Sequence, residues 1–268
     1  MDLYNRLMKN HCDKDKGHLL NRPELKSNEI HFFYTRVDEI QNSSLLDRYR
    51  AVISEAEKKK VDRYIFEKDQ HACLVTRALL RFVLSAYTRE DPESFEFVEN
   101  DFGKPRLKPG CSDMPINFNL SHSSKVTAIA LVLDTEIGLD VENHSRKIDL
   151  GIADRFFSTS ESEHLGKCPE IERQSVFFDL WTLKESYIKA RGMGLSIGLD
   201  KFGFKMDHSN ISIQFHESLN DFPERWQFFK FSPIQTYTAA ISVRSCLKTE
   251  FKLQIHQCIP FDYIHNLP

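Results

Sequence analysis

The chain of 268 residues holds only six cysteines, and no two lie closer than twelve positions, so there is no CxxC pair for zinc or dithiol chemistry. Reduced, mostly buried thiols are the expectation. No window approaches the ~18 uninterrupted apolar residues of a membrane span, and the polar stretch 1–16 lacks the apolar region of a signal peptide. A soluble, cytoplasmic protein without a membrane partner is therefore expected. Basic excess is missing as well. Thirty-six Lys and Arg against 39 Asp and Glu leave a net charge of −3, without the broad positive field that drives nonspecific nucleic-acid binding. No nucleic-acid partner is expected, and any anion-binding surface must be local. The signatures GxxxxGK[ST], HExxH and GxSxG are all absent. The run Gly192-Met193-Gly194-Leu195-Ser196-Ile197-Gly198 has the wrong last spacing for a dinucleotide fingerprint and follows a helical pattern where a strand is required.

What is present is a globular balance of 41% hydrophobic and 28% charged residues, enough to bury a core without disulfides or metal. Phenylalanine, at 21 copies, supplies much of the core material. Residues 1–28 are polar and lack a period, which reads as a loosely held arm. Ser54-Glu55-Ala56-Glu57 has the capping-box pattern and opens a helix through about residue 66. Over 69–87, Val75, Leu79, Phe82, Val83 and Ala86 recur at the helical period, while Arg77 and Arg81, four apart, share another face. The period then changes. Phe95 and Phe97, then Ile116, Phe118 and Leu120, then 126–133, then Ile137, Leu139 and Val141 alternate or run continuously as strands do. Ser158-Thr159-Ser160-Glu161 opens a second helical block, and a longer helix over about 172–191 ends at Gly192. Strand-like segments follow at 202–205, 211–215, 226–231 and 238–243. This order fits two similar halves meeting near 134–138: an N-terminal half over 29–135 and a C-terminal half over 136–268, tail included.

Three segments can carry chemistry. In Ile137-Gly138-Leu139-Asp140-Val141-Glu142, alternation puts both carboxylates on one face, where they can share a cation; a solvated strand face is the plainer reading. In Trp181-Thr182-Leu183-Lys184-Glu185-Ser186-Tyr187-Ile188-Lys189, Trp181, Glu185 and Lys189 stack at four-residue steps beside a buried stripe. The plainer reading there is a Glu185–Lys189 ion pair worth about 0.2–0.5 kcal/mol. In Asn117-Phe118-Asn119-Leu120-Ser121-His122-Ser123, Ser121 or His122 could hydrogen-bond a phosphate. Adjacent strand side chains point to opposite faces, so these two are not a nucleophile and its base. Lys104 and Arg106, beside a Gly103-Lys104-Pro105 turn, could be solvated charges.

Taken together in this order, the segments resemble the 4′-phosphopantetheinyl transferase superfamily, in particular its bacterial surfactin-synthetase-activating type. The similarity runs from about 60 through 204. It is carried by Gly103-Lys104-Pro105, the 119–123 and 138–142 segments, Arg155-Phe156-Phe157-Ser158 with Glu161, and Trp181-x-x-Lys184-Glu185-x-x-x-Lys189 followed by Gly192-x-Gly194-Leu195. The resemblance implies an α/β (α+β) pseudo-dimer of two similar halves, each a small, largely antiparallel sheet packed with a long helix. Coenzyme A and Mg²⁺, with Mn²⁺ as a possible substitute, would bind in the cleft between them. By the same resemblance, Asp140, Glu142 and Glu185 are metal ligands. Mg²⁺ favours such a set, a few carboxylate oxygens completed by waters and phosphates. Lys104, Ser121, His122, Lys184 and Lys189 fall at coenzyme A-binding positions, and Glu185 and Lys189 at catalytic ones. One departure stands out: related bacterial enzymes often carry a basic residue just after the position of His71, and this chain has Ala72.

The implied reaction is transfer of 4′-phosphopantetheine from coenzyme A to a serine of an apo acyl or peptidyl carrier protein by a monomeric enzyme, releasing adenosine 3′,5′-bisphosphate. A metal-dependent coenzyme A diphosphate hydrolase and a catalytically silent coenzyme A or carrier-binding module are the alternatives. Carrier helices are generally acidic around the modified serine, so segment 144–155, with Arg146, Lys147, Ile148, Leu150 and Ile152, is a candidate docking surface; a plain surface loop leading into the helix capped by Ser158 is the equal alternative.

Overall fold

The computed structural model describes residues 23–266 except 89, 208–209 and 246–248. Most of the expected arm, 1–22, lies outside the described residues, whereas Leu25 is buried in the core. The first half runs β1 (Glu29–Arg36), α1 (Ser43–Val52), α2 (Glu55–Asp62), α3 (Glu67–Tyr87), β2 (Phe97–Glu99), β3 (Pro105–Leu107), β4 (Ile116–Ser123) and β5 (Val126–Leu133). After it come β6 (Ile137–Asn143), α4 (Ala153–Phe156), α5 (Thr159–Lys167) and α6 (Glu170–Arg191). The chain continues through β7 (Phe202–Asp207), β8 (Asn210–Phe215), β9 (Trp226–Phe231), β10 (Tyr237–Arg244), β11 (Lys252–Ile259) and β12 (Tyr263–Asn266). Both capping boxes form as the sequence predicts, at Ser54 with Glu57 and at Ser158 with Glu161. Gly192 ends α6 in the left-handed region, φ 61°.

Alternation along the strands sorts the layers. Phe33, Ile129, Leu131 and Phe118 face α3 in one core. Ile30, Phe32, Ala128 and Ala130 face the other way and meet Leu139, Val141, Ala239 and Ile241 of the second sheet. The far side of that sheet packs on α6 through Leu183, Tyr187 and Ala240. The sheets, ordered β12-β11-β1-β5-β4 and β6-β10-β9, therefore lie between the two long helices. Each half is a small, largely antiparallel sheet with its helix, as expected.

The tail departs from the expectation. β11 pairs in parallel with β1, Glu29 opposite Lys252 through Tyr34 opposite Gln257, so the tail assigned to the second half hydrogen-bonds into the sheet of the first. Periodicity reports a strand but not its partner, and parallel partners are joined by long crossovers. Helix α1 and strands β1, β11 and β12 are also absent from the pattern-based expectation. β1 is buried along nearly its whole length, which erases the alternation that marks a one-sided strand.

Behind this parallel pair, His31 Nδ1 lies 2.6 Å from the Tyr87 hydroxyl and Nε2 lies 3.3 Å from Glu29 Oε2, with the ring 5.8 Å from that of His256. Burial pushes the His31 imidazole down to about 4, against the opposite pull of Glu29. An unfolded histidine protonates near 6.5, so the unfolded chain binds the proton first. This residue's contribution should fall as pH drops from about 6.5 to about 4, by about 3 kcal/mol at most. Urea unfolding at pH 7.5, 6 and 4.5 should show the decline, and His31→Gln should flatten it; a variant with the wild-type slope contradicts the assignment.

The two halves meet along β4 and β6, which are both edge strands. Asn119 Oδ1 accepts from the Leu139 amide at 2.8 Å, Ser121 Oγ from Val141 at 3.1 Å and Ser123 Oγ from Asn143 at 3.2 Å. Side-chain oxygens at every second residue of β4 thus replace a backbone ladder. On the other side of β6, Gly138 lets α6 approach. A Cβ there would lie 2.0 Å from Ser186 O and 2.2 Å from the Ala190 amide. Gly138→Ala should therefore cost about 3 kcal/mol or prevent folding. Gly166→Ala, in α5 with open space around it, should be neutral or stabilising by about 0.5–1 kcal/mol. Denaturant midpoints of the two variants check the contrast.

Candidate functional site

Gly138, Asp140 and Glu142 leave β6 on the face toward α6, because every second strand residue shares a face. Glu185 and Lys189, one turn apart on α6, come down onto them. Asp140 is buried; its Oδ1 accepts from Lys189 Nζ at 2.7 Å and from Ser121 Oγ at 3.0 Å, while its buried Oδ2 has no hydrogen-bond partner among the described residues. Glu142 accepts from Ser123 Oγ at 2.7 Å and from Arg146 at 3.1 Å. Burial first, and the negative charge of Asp140 second, raise the carboxyls of Glu142 and Glu185 above the ordinary carboxylate range. Lys189 also donates to Ser121 Oγ at 3.1 Å, so its ammonium crosses to the strand carboxylate. The helix pair with Glu185 that spacing alone would favour is not among the described ion pairs.

This donor set suits a hard divalent cation: carboxylate oxygens from two elements, one of them buried and unpartnered. Among the described residues the carboxylates are not drawn into a closed ligand cluster. Lys189 and Arg146 supply the positive charge instead.

His122 points from β4 into a cavity of about 940 Å³ that is also lined by Lys60, Tyr64, His71, Arg77 and Lys125. Loss of solvent in the cleft and then the charge of Lys189 hold its imidazole below the ordinary histidine value. The cavity and the carboxylate cluster thus adjoin at His122. No sequence signal marks Lys60, Arg77 or Lys125 as ligands. They come from three separate elements and carry no shared spacing.

Two expected cofactor contacts are placed otherwise. Ser121 is buried in the seam, with its hydroxyl engaged by Asp140, the Val141 amide and Lys189. Lys104 Nζ donates to Ile137 O and Ala190 O, each at 2.9 Å, and Asn100 beside it donates to Gly192 O at 2.7 Å. Burial pulls the Lys104 ammonium down to about 8. The residue pins the end of α6 and the start of β6 to the first half, lining a separate cavity of about 370 Å³ with Arg106 and Glu136. A lysine beside a turn reads the same in sequence whether carbonyls or a phosphate receive its protons.

Residues 42–133 match a family model described as 4′-phosphopantetheinyl transferase, N-terminal, and residues 136–242 match one described as 4′-phosphopantetheinyl transferase superfamily. The 4′-phosphopantetheinyl transferase HetI of Nostoc sp. (strain PCC 7120) is 30% identical over 222 residues, 82% of this chain and 89% of that protein. The chain belongs to the 4′-phosphopantetheinyl transferase superfamily. Its Sfp-like character is carried by the 4′-phosphopantetheinyl transferase Sfp of Bacillus subtilis (strain 168), 34% identical over 175 residues, 64% of this chain and 75% of that one. In shape, the holo-[acyl-carrier-protein] synthase of Thermotoga maritima aligns at a TM-score of only 0.36 and 20% identity, over 41% of this chain and 62% of that one, too weak a likeness to bear on the site. No helix among the described residues of the transferase is long and apolar enough to cross a membrane.

Lys184, expected among the transferase's cofactor contacts, is fully buried elsewhere. Its ammonium meets Glu161 Oε2 at 2.7 Å, Leu199 O at 2.8 Å and Phe202 O at 2.6 Å, which uses all three protons. Consecutive helix residues point about 100° apart, so Lys184 and Glu185 cannot both face the cleft. Lys184→Ala would strand a buried Glu161 and should destabilise the transferase by about 3–5 kcal/mol, with Lys184→Met/Glu161→Gln milder. Lys189→Ala, at a partly exposed position, should cost much less. Thermal unfolding of the three variants checks this, and a Lys184→Ala protein as stable as wild type would return Lys184 to the ligand set.

Proposed function

We propose that this transferase moves the 4′-phosphopantetheine arm of coenzyme A onto a serine of an apo acyl or peptidyl carrier protein with Mg²⁺ at the Asp140–Glu142–Glu185 cluster, releasing adenosine 3′,5′-bisphosphate. The observation that carries the reading is the juxtaposition at His122 of an acidic cluster holding one buried, unpartnered carboxylate oxygen and a large cavity whose wall carries Lys60, Lys68, Arg77 and Lys125 alongside Asp38, Glu67, Asp69 and Glu99. A diphosphate that must be both neutralised and anchored suits such a pair of neighbours. Both walls of the cleft come from one chain, so the enzyme acts as a monomer.

Asp140, Glu142 and Glu185 would hold the ion, which would supply charge neutralisation on the diphosphate when bound. Glu185 has no hydrogen bond or ion pair among the described residues and is held above its usual range by burial and by its acidic neighbours. It accepts the proton of the carrier serine, directly or through a water, as that oxygen attacks the pantetheine-side phosphorus. The bond from phosphorus to the bridging oxygen breaks, and Lys189 offsets the charge that grows on the departing phosphate. His122 steadies the neighbouring phosphate from the cavity side. Segment 144–155 is the reading's docking surface for an acidic carrier, though its apolar side chains Ile148, Leu150 and Ile152 pack partly on the second core. Arg146 pairs with Glu142 and lies over Phe178, which ties that surface to the site.

Incubation with coenzyme A and a panel of apo-carrier proteins, read by intact mass, should add one phosphopantetheine to a carrier. Chelator should abolish the gain and Mg²⁺ or Mn²⁺ restore it. Asp140→Ala, Glu142→Ala and Glu185→Ala should each lose about 100-fold or more while remaining folded by circular dichroism. Nucleotide release without a carrier would instead mean hydrolysis, and binding without turnover a silent module. Near-normal transfer in any two of the three variants would sink the metal assignment.

A further inference from the structure

Lys104 and Asn100 belong to the β2–β3 hairpin of the first half, yet both reach the end of α6 in the second. Gly103, at φ 82°, turns the hairpin through a conformation that side chains rarely adopt. Asn100 Oδ1 closes the turn, accepting from the Phe102 amide at 3.0 Å and the Lys104 amide at 2.9 Å. So held, the hairpin directs Lys104 Nζ onto Ile137 O and Ala190 O, and Asn100 Nδ2 onto Gly192 O. The last carbonyls of a helix have no partner within it. Here Ile188 O accepts from the Gly192 amide, and the hairpin satisfies Ala190 O and Gly192 O. The packing is close, since a Cβ on Gly192 would lie 3.0 Å from both Asn100 Nδ2 and Lys104 Cδ.

These carbonyls sit beside the chemistry. Ala190 follows Lys189 directly, and Ile137 lies three residues before Asp140 on β6. One ammonium therefore bridges the two elements that carry the Lys189–Asp140 pair, at the place where Gly138 lets them touch. Lys189 stands in the last turn of α6, and helix ends fray. Its own ammonium is held by Asp140 and Ser121. Asp140 is also a proposed metal ligand, so that contact alone does not fix the lysine during transfer, and the backbone beneath it has to. A misplacement of about 1 Å can cost on the order of 100-fold in rate.

We propose that Lys104, with Asn100 beside it, is a positioning residue for Lys189: it acts on turnover through the backbones of α6 and β6 and not on coenzyme A by contact. The inference rests on the role given to Lys189 in the transfer reaction above.

The test is a double-mutant cycle on the full chain, Lys104→Met against Lys189→Ala. Transfer kinetics to an apo-carrier that the wild type modifies are read beside calorimetric coenzyme A binding and thermal unfolding. Lys104→Met keeps the aliphatic stem and loses the donors. It should lower kcat about tenfold or more and leave KM and Kd for coenzyme A within about twofold. In the Lys189→Ala background the same change should lower kcat by no more than about twofold, because the group being positioned is already gone. Asn100→Asp keeps the acceptor for the hairpin turn and loses the donor to Gly192 O. It should show the same non-additivity with a smaller loss, and it carries the cycle if Lys104→Met does not fold. A phosphate-binding Lys104 would raise Kd for coenzyme A about tenfold with kcat kept, and a merely structural one would lower kcat by the same factor in both backgrounds; either result overturns the proposal. Lys189→Ala with the wild-type kcat overturns this inference and the role of Lys189 together, while transfer itself stands. A wild type that transfers nothing from coenzyme A to any carrier overturns the transferase reading as well.

Discussion

The seam between β4 and β6 is the interaction on which the rest depends. Two edge strands face each other there, and side-chain oxygens of Asn119, Ser121 and Ser123 take the outward amides of Leu139, Val141 and Asn143. Each such bond contributes only about 0.5–1.5 kcal/mol, but each buried amide left unmade would cost about 1–3 kcal/mol. The register of β6 is therefore set against the first half, and register decides which side chains face α6. A slip of one residue would turn Asp140 and Glu142 into the apolar layer between the sheets. Ser121 takes part in both roles, since its hydroxyl holds the Val141 amide and also touches Asp140 and Lys189.

Helix α6 is fixed from three sides. Gly138 permits close backbone approach, Lys104 and Asn100 hold the last turn, and the buried Lys184–Glu161 pair ties the helix to the cap of α5 and to β7. With the helix so constrained, Glu185 and Lys189 are presented to the strand carboxylates by rigid elements and not by loops, the condition under which a site keeps its geometry. Concentrating acids in a half-buried place raises the carboxyls of Glu142 and Glu185, and the ammonium of Lys189 offsets part of that repulsion.

The charge balance differs across His122. On one side three carboxylates face Lys189 and Arg146, and on the other Lys60, Lys68, Arg77 and Lys125 line the cavity with Asp38, Glu67, Asp69 and Glu99.

The sequence by itself determined a good deal. Local patterns placed the capping boxes at Ser54 and Ser158, the long helices, the strands from β5 through β10, and the shared face of Asp140 and Glu142, because spacing of neighbours along a helix or strand is a property of the chain alone. Family resemblance supplied Glu185 and Lys189. Only the tertiary structure decided what each polar side chain touches. Lys104, Lys184 and Ser121 read as ligand contacts by position, yet carbonyls, Glu161 and the seam take their hydrogen-bonding groups. β1 was hidden because burial on both faces removes alternation, and β11 could not be assigned to the first half because its partner lies more than two hundred residues away. The sharing of Glu57 was equally invisible, since only the packing of two helices lets one of its oxygens accept from Arg81 while the other lies 4.0 Å from Arg77.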